Sequence, residues 1–302
     1  MKPLWGIDLG GTKVEGIVVD ADAQYHTLAR LRVPTEQEHG YQHILGQMHK
    51  LIGMLAAETG LTPSRIGIGT PGALDPDSHT LKNSNTVCLI GQPLKKDLET
   101  LTGLQVLMAN DANCFALAEA RAGAAAEKAP GAEMIFGVIM GTGVGGGVVA
   151  NGKVINGRHS IGGEWGHNFL DESGGPCYCG RIGCVETILS GPSSERWYLK
   201  LTGNKLKLKE IYQRYLDKSD PAATETIERL IHFFGKALGP IINILDPEAI
   251  VLGGGVSNLD VLYNEGAREV EKYVFNPRME TLILRPKMGD SAGVFGAAML
   301  TE

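Results

Sequence analysis

The sequence predicts an α/β protein made of two like-folded halves that face each other across a cleft. The first observation is a duplication. The apolar run Leu4–Leu9 enters the turn Gly10-Gly11-Thr12 and returns as the strand Lys13–Asp20. The same layout recurs as Gly137–Gly143, a returning strand Val148–Ala150 and the turn Asn151-Gly152. The second observation is that each hairpin heads a series of alternating helical and short apolar stretches. The third is a further glycine turn, Gly253–Gly255, again placed at a strand end.

In chain order, Tyr25–Val33 reads as a third strand. Residues 41–58 read as a helix with Ile44, Leu45, Met48, Leu51, Ile52 and Leu55 on one face. Arg65–Gly69 is a buried strand stopped by Thr70-Pro71-Gly72. Leu104–Ala109 is another, followed by Asn110-Asp111-Ala112-Asn113 and an alanine-rich helix to about Ala126. Ala223–Leu245 places Ile227, Leu230, Phe234, Leu238 and Ile242 at three- and four-residue steps and ends at Asp246-Pro247. Ile250–Leu252 is a strand, followed after the glycines by a helix to about Tyr273. Thr281–Leu284 is a last strand and Ser291–Leu300 a closing helix. The expected division is an N-terminal half, 1–110, and a C-terminal half, 111–290, carrying an insertion at 163–186. The closing helix, 291–302, is expected to pack back on the first half.

At 302 residues and 32.2 kDa there is material for two domains. Net charge is −6 with no Lys/Arg block, which argues against nucleic acid as a partner. No apolar run approaches a membrane span. The strand pattern begins at once, leaving no expected targeting peptide, so a cytoplasmic protein is the expectation.

Chemistry concentrates between Gly163 and Glu186. His167, Cys177, Cys179 and Cys184 form the His/Cys₃ set of a tetrahedral zinc, and nearby glycines let the backbone converge. Unliganded thiols are the plain alternative. A disulfide fits poorly with five cysteines and no secretory signal. Glu164 and Glu186 flank the ligands and are free to face a polyhydroxylated small molecule.

The glycine turns expose backbone N–H groups that can cradle phosphate oxygens. Gly141, Gly143 and Gly146 spell GxGxxG, but the chain returns as a strand rather than opening a helix, so the dinucleotide reading fails. Gly6, Gly11, Thr12 and Lys13 miss a Walker A loop because Thr stands where Lys is required. Three such turns at corresponding strand ends suit one polyphosphate held between two domains. Asp8, beside the first turn, suits Mg²⁺ contact through water, or a structural role bonded to loop N–H groups. Lys13 reads as a phosphate contact or a solvated lysine. Asp111 reads as a helix N-cap or as a general base facing the cleft.

Asp8-x-Gly10-Gly11-Thr12-Lys13, Gly69-Thr70-Pro71-Gly72, Asn110-Asp111-Ala112-Asn113, Gly141–Gly147, Glu164-x-x-His167, Cys177-x-Cys179-Gly180-x-x-Gly183-Cys184-x-Glu186 and Gly253–Gly255 occur in this order. Over essentially the whole chain this resembles the ROK family of sugar kinases. The resemblance implies the actin-like ATPase (ribonuclease H-like) fold and phosphorylation of a hexose by ATP with Mg²⁺ and a structural Zn²⁺. It implies Asp111 as catalytic base and Gly72, Asn83, Asn110, Asp111, Glu164, His167 and Glu186 on the sugar. His167 would place one ring nitrogen on zinc and the other toward the sugar. Nucleotide contacts would come from Asp8, Gly10, Gly11, Thr12, Lys13, Gly141, Thr142, Gly143, Gly254 and Gly255. The family's repressors carry an added N-terminal DNA-binding domain, which is not expected here, and a homodimer follows as the family's common state. Residues 82–86, Gly91-Gln92-Pro93-Leu94 and Gly163–Asn168 look most like fructokinases of the manno(fructo)kinase type, so fructose 6-phosphate is the expected product. An N-acetylhexosamine or glucose kinase is the alternative, and a non-catalytic sugar sensor a remote one.

Overall fold

The computed structural model describes residues 1–302, Asp290 by its backbone alone. Among the described residues two five-stranded sheets carry the architecture. In the first, β1 (Pro3–Leu9), β2 (Lys13–Asp20) and β3 (His26–Pro34) form an antiparallel meander. The helix α1 (Tyr41–Thr59) leads to β4 (Arg65–Thr70), which joins β1 in parallel. A small hairpin, β5 (Ala73–Leu74) and β6 (Leu81–Lys82), and α2 (Leu94–Thr102) precede β7 (Gln105–Asn110), parallel to β4. The order is β3-β2-β1-β4-β7.

After α3 (Asp111–Arg121) and α4 (Ala124–Lys128), the second sheet repeats that plan. β8 (Met134–Met140), β9 (Val144–Ala150) and β10 (Lys153–Val154) are antiparallel. The helices α5 (Glu186–Leu189), α6 (Gly191–Thr202), α7 (Leu208–Leu216) and α8 (Pro221–Leu245) intervene before β11 (Ala249–Gly253). α9 (Glu265–Glu271) then leads to β12 (Leu282–Leu284), and α10 (Ala292–Met299) closes the chain. The order β10-β9-β8-β11-β12 mirrors the first sheet strand for strand. This is the duplicated plan of the actin-like ATPase fold.

Both sheets are buried on both faces, one face of each under a long helix. Trp5, Ile7 and Leu9 meet Ile44, Met48, Leu51 and Leu55 of α1, the stripe expected from the periodicity. Val138, Met140 and Leu252 meet Ile227, Leu230, Phe234 and Leu238 of α8. That helix starts cleanly because Asp220 accepts from the Ala222 and Ala223 N–H groups and Pro221 needs no donor. No helix among the described residues is long and apolar enough to cross a membrane.

Three expectations change. The alanine-rich helix breaks after Arg121, because buried Glu119 turns its carboxylate onto the Ala124 N–H at 2.7 Å and caps a separate helix. The segment after Gly253-Gly254-Gly255 is two 3-10 turns before α9, not one helix. The helices α6 and α7 had no counterpart in the sequence reading.

α10 lies against β1 and β4 because both strands offer glycine there. A Cβ on Gly67 would fall 1.8 Å from the Ala297 carbonyl oxygen, and one on Gly6 would fall 2.3 Å from the Ala298 nitrogen. Gly67→Ala is therefore expected to force strand and helix apart at a cost of about 3 kcal/mol. Thermal unfolding reads it, and an unchanged Tm would mean that the two elements do not touch in solution.

Candidate active site

β4 and β7 run side by side, with Thr70 opposite Asn110, so their carboxyl ends deliver Pro71-Gly72 and Asn110-Asp111 to the same place. Across from them, the turn between β8 and β9 and the segment from Ile161 to Glu186 complete a cleft of about 710 Å³. Gly72, Asn83, Asn110, Asp111, Glu164, His167 and Glu186, the whole expected sugar set, line it. Asn83 has φ 56°, a left-handed conformation that Asn adopts more readily than most residues.

Asn110, not Asp111, is the cap of α3. Its Oδ1 accepts from the Ala112 N–H at 2.9 Å and its Nδ2 donates to the Gly72 carbonyl at 3.2 Å. Asp111 is the first residue of the helix and shares the Ala112 N–H with that cap. Its carboxylate accepts from the Ala112 N–H at 2.7 Å and opens onto the cleft. Protein packed around it pushes its pKa up to about 6, with the Glu164 charge adding to the effect and the Ala112 N–H opposing it. Glu164 is also raised, first by burial.

The carboxylate of Asp8, near the end of β1, makes no hydrogen bond to any described group, although its backbone is paired within the sheet. Burial first, and then the Asp111 and Glu15 charges, push its pKa up to about 7, with Lys13 opposing. Gly293 in the first turn of α10 leaves room for this carboxylate, since a Cβ there would stand 3.0 Å from Oδ2. An unpaired carboxylate held beside a second one is a place for a divalent cation. Lys13 pairs with buried Glu15 at 3.1 Å, and Glu15 also takes Arg30 and Arg32.

Of the expected nucleotide residues, Gly141, Thr142 and Gly143 line the cleft, whereas Gly10–Lys13 and Gly254–Gly255 do not. The second and third glycine turns nevertheless adjoin, because β8 and β11 are paired and the backbone of Met140 lies against Gly254. The Val144 N–H donates to Glu186 Oε2 at 2.9 Å. A Cβ on Gly143 would stand 2.6 Å from that same oxygen, so glycine is needed for the approach. Glu186 thus joins the sugar side to the phosphate-type turn, which spacing did not indicate.

The ligand atoms of His167, Cys177, Cys179 and Cys184 all lie within 4.8 Å of one another. Cys177 Sγ is 3.6 Å from His167 Nδ1, and Cys179 Sγ is 3.6 Å from Cys184 Sγ. A tetrahedron with Zn–S distances of about 2.3 Å has S···S edges of about 3.7 Å, so set and spacing fit zinc. All the cysteines are free. Burial pushes the Cys184 thiol up to about 12, while the Arg181 N–H holds Cys179 down.

His167 differs from expectation in its outer nitrogen. Nε2 meets the Tyr178 hydroxyl at 2.9 Å instead of standing free, so Tyr178 is interposed on the cleft side. Tyr178 was missed, although a residue between two converging cysteines has to travel with them. Asn85 and Asn168, from the runs 82–86 and 163–168 noted in the sequence, also line the cleft, as do Arg181, Ile139 and Ile161, which carried no signal of their own. Trp165 does not line it. It is buried edge-on against Phe136 and donates to the Gly145 carbonyl at 2.8 Å.

The N-acetyl-D-glucosamine kinases of Vibrio atlanticus (strain LGP32) and Yersinia enterocolitica serotype O:8 / biotype 1B (strain NCTC 13174 / 8081) are each 36% identical to the chain over 98% of both lengths. Among solved structures, the ROK hexokinase from Thermus thermophilus superposes with a TM-score of 0.87 at 32% identity, over 99% of this chain and 97% of that one. A ROK family glucokinase from Streptomyces griseus, in complex with glucose and AMPPNP, superposes with a TM-score of 0.78 at 27% identity, over 99% and 98%. The relatives carry the N-acetyl-D-glucosamine kinase name and not that of a fructokinase, so the fructokinase type expected from residues 82–94 and 163–168 is without support. The ROK family itself matches residues 4–302, and the chain belongs to the ROK family.

Proposed function

We propose that this chain is an ATP-dependent sugar kinase whose substrate is N-acetyl-D-glucosamine, phosphorylated at the 6-hydroxyl with Asp111 as general base. The observation that carries the reading is an aspartate at the first position of α3, pushed up to about 6, and facing a cleft lined with sugar-type hydrogen-bonding groups. Such a carboxylate is ionised at neutral pH yet basic enough to accept the hydroxyl proton as that oxygen attacks the γ-phosphorus. Asn83, Glu164 and Glu186 hold the other hydroxyls. The Thr142 and Gly143 N–H groups are offered to the phosphate side, the Gly141 N–H being donated to the Gly143 carbonyl at 2.9 Å, and Asp8 supports the Mg²⁺ that accompanies ATP. The halves 1–110 and 111–290 are read as the two domains that bring sugar and nucleotide together.

Zinc, held by His167, Cys177, Cys179 and Cys184, has no open position for chemistry and fixes the Gly163–Glu186 segment. Two observations favour the acetamido sugar over fructose. The relatives similar over full length bear the N-acetyl-D-glucosamine kinase name. Ile139, Val144 and Ile161 add apolar surface beside the polar set, and Trp165 is turned away from it.

ADP release across a panel of N-acetylglucosamine, N-acetylmannosamine, glucose, mannose and fructose tests this. N-acetylglucosamine is expected to have the highest kcat/KM, at least about tenfold above fructose, or 1.4 kcal/mol. Fructose or glucose ahead by that margin overturns the sugar assignment. No ADP with any of the five overturns the kinase reading.

A further inference from the structure

Behind the short helix that begins with Glu186 lies a second cavity, of about 120 Å³, between the bend at Gly174, α6 and α8. That is room for several waters or one tetrahedral oxyanion. Its wall carries Arg196, Lys200 and Arg229. None of these has a carboxylate within ion-pair distance among the described residues, and Asp171, whose charge is felt at Arg229, pairs with Lys236 at 3.5 Å. Arg229 is half-buried, 4.1 Å from the Trp197 ring centroid and 4.4 Å from that of Phe233. Lys200 Nζ stands 5.0 Å over the same indole.

The remaining wall is made of hydroxyls, the Trp197 indole and apolar groups, with no carboxylate. Arg229 donates to Ser173 Oγ and Arg196 to Ser193 Oγ, each at 2.8 Å, leaving further guanidinium N–H groups unused. Ser194 on the same wall is buried. The Trp197 indole N–H is buried with no acceptor. Cations without counter-ions, donors without acceptors and a small volume are the complement of a compact anion.

We propose that this cavity binds a small phosphate-type oxyanion, either free orthophosphate or the head of a phosphate monoester, and that its occupancy is felt at Glu186. The connection is short. Thr187 and Ile188 line the cavity while Glu186 lines the cleft. Ser193, which holds Arg196, donates to the Glu186 carbonyl at 2.9 Å, and the Glu186 carboxylate holds the Val144 N–H of the glycine turn. An anion that draws Arg196 into the cavity changes the load on Ser193 and through it the seat of Glu186.

The test uses the whole protein without nucleotide or sugar, in a buffer free of phosphate. Orthophosphate and glycerol phosphate are titrated separately by calorimetry, with indole fluorescence as a second readout. Saturable binding of one anion per chain is expected. Arg196→Gln with Arg229→Gln is expected to weaken it by about tenfold or more, the loss of charge-assisted hydrogen bonds. Lys200→Gln, at an exposed position, is expected to weaken it about threefold and serves if the double variant does not fold. Tighter binding of orthophosphate identifies the free ion as the ligand, and tighter binding of glycerol phosphate the monoester. No saturable binding of either, or affinity untouched by these substitutions, overturns the site. The Glu186 link rests on the kinase reading: the preferred anion should shift the sugar KM about twofold or more in the wild type, and in Lys200→Gln the same shift should need about threefold more anion. An unmoved KM overturns that link, while the binding arm, which needs no turnover, stands or falls separately from the kinase assignment.

Discussion

Asp111→Asn is expected to lower kcat by about 10²–10⁴-fold while the fold and the binding of sugar and ATP persist. The substitution keeps size and hydrogen bonding at the start of α3, and the cap there belongs to Asn110. What it removes is the ability to take a proton. In the wild type kcat should fall as pH drops through about 6, where Asp111 becomes protonated, and the variant should lack that limb. Stability moves the other way. A carboxyl whose folded pKa is raised above its unfolded value binds the proton more tightly in the native state, so the native state loses stability as pH rises through that window. Asp111 and Asp8, raised from 3.8 to about 6 and about 7, both act in this sense and repel each other. Asp111→Asn should therefore melt at a higher temperature than the wild type at pH 8, with the gap closing toward pH 4. Near-wild-type turnover in the variant would make Asp111 a structural residue and sink the mechanism.

Loss of the metal is expected to have the next largest effect. Structural zinc contributes about 10–16 kcal/mol in small zinc peptides near neutral pH. Cys179 is exposed, so Cys179→Ser removes a ligand without opening a hole in the core. Elemental analysis should find one zinc per wild-type chain and less in the variant. The segment from Gly163 to Glu186 should loosen, and the sugar KM should rise by about tenfold or more, about 1.4 kcal/mol of binding. Nucleotide affinity should fall less than sugar affinity, because only the Glu186 contact to Val144 joins the segment to the second glycine turn and the β1–β2 turn does not touch it. A wild-type protein without zinc, or a variant with unaltered sugar KM, would show that the four side chains converge for another reason.

Much of this protein is legible in one dimension, because local rules govern it. The duplicated strand–glycine–strand pattern announces two similar halves, since a turn without Cβ atoms between apolar runs has few alternatives to a hairpin. The six core positions on the inner face of α1 follow from a period of 3.6. His167, Cys177, Cys179 and Cys184 are close in sequence, so their convergence needs only a flexible backbone between them. The break between α3 and α4 and the helices α6 and α7 were not legible, because a buried carboxylate and packing against α8 decide them rather than propensity.

The working details of the site belong to the tertiary structure, because they join residues that are distant in the chain. Asn110 takes the cap and ties itself to Gly72, while Asp111 faces the cleft. Glu186 reaches back to the Val144 N–H, and Tyr178 closes over His167. The Asp111 charge adds to the raised pKa of Asp8 only because β1, β4 and β7 lie side by side and end together. Sequence determined which groups this protein has and where its turns fall. Direction, burial and mutual charge were decided by the packing of two sheets around one cleft, because electrostatic energy depends on distance and solvent access, and neither is a property of spacing along a chain.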